Sequence, residues 1–319
     1  MKQKKSIIVL DDEQIKKSLK IKDVIKVVEN GFRKKALGLV DLPPKIGPKL
    51  GIKGAFADSM PVSVFNKNGN LETFGIKWIS GFPNNIKKNI PYLNPIVILN
   101  NPETGLPKAI LKGNWITAIR TAGVSAVTAK YLAPKKKNLV VGIFGLGLQT
   151  YAHVLTFKEV YKNVRFFLYN HDESFLKKIQ EKFPKEKFLI SKNYHEVVRN
   201  SDVVLSATTF PKKVTPYVFA EDLKEDVLIL PIDYGSRIAP NVYKGLDDVY
   251  TDDIAQYALK SRIKAYFHPN RPLIKKEIGG LIIQKFKRKN RPQKILVFNL
   301  GIALFDILVA DWFSQTFKS

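Results

Sequence analysis

The sequence predicts an α/β protein in two parts: an α+β layer at the front of the chain, then a parallel sheet with helices on both faces. Three observations predict it. From Leu139 onward, short apolar runs alternate with helical segments of βαβ length. Two glycines, Gly145 and Gly147, stand at the first strand-to-helix turn of that series. Ahead of about Leu111 the runs are joined instead by proline, glycine and asparagine, as in a meander.

Taken in order, SIIVL reads as a strand, and DVIKVVENGFRKKALG places Val24, Ile25, Val28, Phe32 and Ala36 at helical spacing before Gly38 stops it. DLPPKIGPKLGIKG can only be loop or extended chain, because its prolines lack an amide hydrogen and fix φ. MPVSVF, TFGIKWIS and PIVILN alternate as strands, and NNPETGLP carries hairpin chemistry toward KAIL. TAIRTAGVSAVTAKYLA is a long helix rich in small residues. Strands then follow at LVVGIF, VRFFLY, FLIS, DVVLSA and VLILPID, with helices from Leu148, over SFLKKIQEKF and at HEVVRN. VYTDDIAQYAL adds a strand-helix step, and KILVFN with an amphipathic helix closes the chain.

A length of 319 residues with 45% hydrophobic content is enough for two domains, each with a core. The longest apolar stretch, KILVFNLGIALFDILVADWF, is interrupted by Asn299, Asp306 and Asp311, which a bilayer would penalise, so no membrane partner is expected. No export signal is visible at the N-terminus, and the absence of cysteine excludes disulfides and thiolate chemistry; both fit a cytoplasmic protein. The net charge of +25 raises the question of nucleic acid. Only nine of the 53 basic residues are arginine, the lysines are scattered, and the one cluster runs from Lys285 to Lys294, so a solvated lysine surface is the reading adopted. His153, His171, His195 and His268 stand far apart without paired spacing, and no metal site is expected.

A dinucleotide-binding turn needs a strand before it, a helix after it, a first glycine for the tight turn and a second that lets the backbone approach a pyrophosphate. Gly145 and Gly147 meet those demands; Thr150 stands where a smaller third residue is usual. The segment is therefore read as a Rossmann-type domain. At the end of the second strand an acid would bind the ribose 2′-hydroxyl and repel a 2′-phosphate. Asn170 and His171 stand there instead, which favours NADP(H), while Asp172 leaves NAD(H) open.

GIKWISGFPNN (75 to 85), TAIRTAGVSAVTAKYLA (117 to 133), GLGLQ (145 to 149), YTDDIAQ (250 to 256) and NLGIALFD (299 to 306) resemble the ornithine cyclodeaminase and mu-crystallin family over nearly the whole chain. The resemblance implies a substrate-binding and dimerisation domain of residues 1–116 with the final helix, 300–319, a Rossmann domain of 117–299, and a homodimer. Position by position, Lys77 resembles the lysine that contacts the substrate nitrogen, and Arg120 the arginine that clamps its carboxylate. Thr121, Leu148, Gln149, Asn170 and Thr208 resemble cofactor contacts. Asn299 is similar to a nicotinamide-side contact and Leu300 to a substrate contact. In two places the chain departs from the family: Lys45 stands in PPKIG where an arginine is common, and Gly235 falls in register with an aspartate of the cyclodeaminases. Asp233, two residues earlier, would share a strand face with that position and could substitute.

The residues themselves agree at the two strongest positions. Arg120 on a small, apolar helix needs a counterion, either a substrate carboxylate or one of the chain's own acids. Lys77, between Ile76 and Trp78 on a strand, is either an ordinary exposed lysine or a partly buried one with a lowered pKa, able to move protons. The leading expectation is an NAD(P)-dependent oxidoreductase acting on the C–N bond of a small α-amino or α-imino acid. The alternatives are an ornithine or lysine cyclodeaminase and a non-catalytic NADPH-binding protein.

Overall fold

The computed structural model describes residues 7–145, 147–169, 173–208, 215–263, 271–286 and 288–317. The chain divides into two compact units, Met1–Arg120 with Gly301–Ser319, and Thr121–Leu300.

The first unit begins with β1 (Ile8–Leu10) and α1 (Asp12–Ser18), followed by α2 (Ile21–Ala36), β2 (Val40–Asp41), β3 (Phe56–Phe65), β4 (Leu71–Gly81), β5 (Leu93–Asn100) and β6 (Pro107–Lys112). The six strands form one sheet in the order β1-β6-β5-β4-β3-β2; β1 lies parallel to β6, and the remaining pairs are antiparallel. α1 has no counterpart among the elements predicted from the sequence, which pass over the acids Asp11 to Glu13. They start a helix: Asp11 accepts from the Gln14 N–H and the Gln14 side chain accepts from the Asp11 N–H, a capping box that satisfies two orphan donors. Asp12 in turn accepts from the Trp115 N–H at 2.7 Å and from Asn114 Nδ2 at 3.1 Å, at the start of α3 (Asn114–Leu132).

Along β4 the side chains alternate: Thr73, Gly75, Lys77, Ile79 and Gly81 are buried, and Trp78 between them is exposed. The buried face meets the closing helix, Ala303–Thr316, which also packs on β3, β5 and α2. That helix is not amphipathic as expected. Ala303 to Asp311, with Phe313 and Ser314, are all buried, because the sheet covers one side and α2 another; Phe32 of α2 meets Phe305 with ring centroids 4.7 Å apart.

The second unit holds β7 (Leu139–Phe144), α4 (Leu148–Val160), β8 (Val164–Tyr169), α5 (Glu173–Lys182), β9 (Leu189–Ser191), α6 (Tyr194–Asn200) and β10 (Val203–Ser206). β11 (Val227–Pro231), β12 (Asp248–Thr251), α7 (Ile254–Ile263), α8 (Ile278–Ile283) and β13 (Lys294–Phe298) complete it, and the closing helix is α9. All seven strands are parallel, in the order β12-β13-β11-β10-β7-β8-β9. The strand order reverses between β7 and β10, and in such sheets ligands bind at the carboxyl ends beside that reversal. Strands buried on both faces need continuous apolar runs, which VLILP and KILVF supply. The fold is thus the α/β class expected from the sequence. Among the described residues no helix is long and apolar enough to cross a membrane, and no cluster of three acidic or histidine side chains is placed to hold a metal.

Candidate functional site

Gly145 follows β7 with φ +94°, and a Cβ there would come 2.7 Å from the carbonyl oxygen of Ala207, which follows β10. Only glycine fits both constraints at this position, which stands at the strand reversal. Gly147 is the N-cap of α4, and a Cβ built on it meets nothing within 4 Å. The first turn of α4 contains no acid, Leu148 is exposed, and buried Gln149 Oε1 has no hydrogen-bond partner. Free N–H groups at a helix N-terminus beside open space suit a pyrophosphate. Thr150 is no impediment: it is buried, and its hydroxyl donates to the Gly145 carbonyl at 2.6 Å, tying helix to turn.

Thr208, just past β10, donates its hydroxyl to Asp233 Oδ2 at 2.9 Å and accepts from Arg237 Nε at 3.0 Å. Asp233 also accepts from Ser206 Oγ. The shared strand face inferred for Asp233 and Gly235 is not observed. β11 stops at Pro231, and both residues lie in the turn beyond it, with Tyr234 at φ 57° and Gly235 at φ +79°. Strand alternation therefore does not relate them. Asp233 is nonetheless buried, and burial pushes its carboxyl up to about 6 against the pull of Ser206, Thr208, Arg237 and the Gly235 N–H. Asn299 is buried, with Nδ2 3.4 Å from Thr128 Oγ1 and Oδ1 without a partner. Leu300 is buried as well, its N–H donating to Asp252 Oδ1 at 3.0 Å. Thr121 is buried on α3. Asn170 and His171 lie outside the described residues.

In the first unit, β4, α3 and α9 bring three charged groups together. Lys77 Nζ donates to Asp306 Oδ1 at 2.8 Å, and Arg120 Nε donates to the same oxygen at 3.0 Å. All three side chains are at most 5% exposed. Of the two counterions open to Arg120, an acid of its own chain is present. It occupies only one edge of the guanidinium: Arg120 Nη1 is buried without a partner, as is Asp306 Oδ2. Gly301, at φ +75°, backs that guanidinium; a Cβ there would stand 3.0 Å from Nη1. Lys45 is buried too, and the bridge between Ile46 and Ser59 ties its loop to β3. The exposed-lysine reading of Lys77 is excluded. Burial lowers its pKa to about 7; Asp306 opposes the shift, while Arg120 and Lys45 add to it. Sequence reasoning missed Asp306, although it ends the NLGIALFD block, because nothing local pairs it with β4 or α3.

The two glycine-rich and basic constellations lie on a chain whose residues 5–317 match the sequence profile of the ornithine cyclodeaminase/mu-crystallin family. The chain belongs to that family. Among relatives, it is 29% identical to the nodulation efficiency protein NfeD of Rhizobium meliloti over 92% of this chain and 90% of that one. It is 28% identical to the N-((2S)-2-amino-2-carboxyethyl)-L-glutamate dehydrogenase of Staphylococcus aureus, covering 82% and 80%. A Delta(1)-pyrroline-2-carboxylate reductase of Bacillus cereus is 27% identical over 76% and 77%. Two solved structures share the family fold. The Thermococcus litoralis Delta(1)-pyrroline-2-carboxylate reductase in complex with NADH and L-proline has a TM-score of 0.82 at 23% identity, covering 97% of each chain. An archaeal alanine dehydrogenase dimer with bound NAD has a TM-score of 0.80 at 24% identity, covering 97% and 95%.

Proposed function

We propose that this family member is an NAD(P)-dependent oxidoreductase that interconverts a small α-imino acid and the corresponding α-amino acid. The observation that carries the reading is the buried Lys77–Asp306–Arg120 group, which combines a proton carrier near neutral pH with an unengaged guanidinium edge in one unit of a chain whose other unit has a dinucleotide turn. A bound nicotinamide dinucleotide supplies the hydride, so that imine, hydride and one proton give the amine. Gly145, Gly147, Leu148, Gln149, Thr121, Thr208 and Asn299 are the residues assigned to hold it, and the open space at Gly147 and the unpartnered Gln149 oxygen fit that role.

Arg120 binds the substrate carboxylate through its Nη edge, with Lys45 adding a point charge and Leu300 an apolar contact. Lys77 gives its proton to the imine nitrogen during reduction and takes one from the amine in the reverse direction. Asn170 and His171, in place of an acid, favour NADP(H) over NAD(H). The protein works as a homodimer in the cytoplasm. An in-register apolar row on the sheet face away from α9, Val9, Ile110, Ile98, Ile76 and Pro61, supports a second copy as its cover.

The deciding assay mixes purified protein with NADPH or NADH and a panel of cyclic imino acids, or 2-oxo acids with amines. Consumption of reduced nicotinamide is the expected outcome; a folded protein that oxidises neither cofactor across the panel overturns the reading. The elevated pKa of buried Asp233 supports one second reading, ring-closing deamination of a diamino acid with Asp233 as an additional proton carrier. Ammonia release with no net change in cofactor, abolished by Asp233→Asn, would be its mark.

A further inference from the structure

We propose that Asp306 is the positioning residue of this site: one carboxylate oxygen holds the Lys77 ammonium and Arg120 Nε together, and thereby decides which donors of each remain for substrate. The inference rests on the function proposed above. A guanidinium can grip a carboxylate side-on, through Nε and one Nη, or end-on, through both Nη groups. Asp306 Oδ1 already accepts from Nε at 3.0 Å, which removes the side-on edge. Nη1 is buried and unpartnered, so the edge left for a ligand is the end-on one. Gly301 behind Nη1 and Nη2 keeps the plane of the group from being pushed aside by a Cβ.

The same oxygen takes one donor of Lys77 at 2.8 Å and leaves the other protons of the ammonium for transfer. The groups that face Lys77 are Asp306 from α9, Arg120 from α3 and Lys45 from the loop ahead of β3; the β3 and β5 neighbours paired with it, Met60 and Val97, carry no charge. Of these three groups, Asp306 is the anion and Arg120 and Lys45 are the cations. Without it, burial and like charge would act on Lys77 unopposed, and the lysine would be neutral at the pH where it must give a proton.

Asp306→Asn keeps the shape and removes the charge. For imine reduction, the pH above which kcat/KM falls should drop by one unit or more in this variant, with KM for the carboxylate substrate raised, and Asp306→Glu should restore part of the shift. A uniform loss of rate with the pH limb unmoved would mean a structural role only and overturn the proposal. Should Asp306→Asn fail to fold, the wild-type protein decides. With lysine labelled at Cε and aspartate at Cγ, assigned through Lys77→Arg and Asp306→Glu, the Asp306 resonance should move at the pH where Lys77 Cε titrates; an Asp306 resonance that stays flat through the Lys77 transition overturns the proposal. Should the wild type reduce no imino acid, the proposed function fails and these resonances alone decide the role of Asp306.

Discussion

At the scale of single residues, Lys77 makes the sharpest statement about chemistry. With its pKa lowered to about 7, it is mostly protonated below that pH and mostly neutral above. Imine reduction, which needs the proton, should therefore lose rate tenfold per pH unit above about 7, whereas amine oxidation should rise to a plateau there; steady-state rates in both directions from pH 5 to 9 check it. Lys77→Met should cost about 10²- to 10⁴-fold in kcat with cofactor affinity unchanged by titration calorimetry. Arg120→Lys keeps a charge but loses the planar fork, so KM for the carboxylate should rise by roughly 10- to 100-fold, the worth of a charge-assisted hydrogen bond. Both residues were legible in the sequence by type and surroundings. Their joint partner was not, because Asp306 lies 229 positions from Lys77 and 186 from Arg120, and only the packing of α9 on the sheet brings it in.

At the scale of elements, the turn from β7 into α4 was readable in advance because its constraints are local: a strand, a positive φ and a helix start within a few residues. Gly145→Ala should destabilise the protein by about 1–3 kcal/mol through backbone strain and the approach to Ala207, and abolish cofactor binding; thermal melts with and without cofactor test both effects. α4 carries a second measurable feature. His153 is fully buried, its Nδ1–H donating to the Gln149 carbonyl at 2.7 Å and its Nε2 accepting from Ser125 Oγ at 3.1 Å. Burial lowers its pKa to about 4, so between pH 6.5 and 4 the unfolded chain binds a proton that the folded one refuses. Stability should fall by about 3 kcal/mol across that window, and a His153→Gln variant should lose that part of the pH dependence in urea titrations. α1 and α9 show where local reading stops. α1 is a helix of seven residues, too short for periodicity to reveal, and α9 is covered on sides that no pattern within it could announce.

At the scale of the molecule, the apolar row from Val9 to Pro61 predicts its own readout. Sedimentation equilibrium should give twice the chain mass, and a charge placed in the row, Ile98→Glu, should shift the protein toward the monomer without unfolding it; a monomeric wild type would refute the homodimer. The sequence pattern showed each strand, but not that five residues from five strands fall in register, since register is a property of pairing. The boundary between the two units has an unusual form. It falls between Arg120 and Thr121, inside the unbroken helix α3, and again between Leu300 and Gly301. The first crossing therefore holds no loop at which a chain could be spliced. A chimera that exchanges the nucleotide-binding half for a relative's must be spliced in helical phase, because one extra residue after Arg120 turns the rest of α3 by about 100° against its first turns. Parts of this protein can be traded only by keeping the thread of that screw.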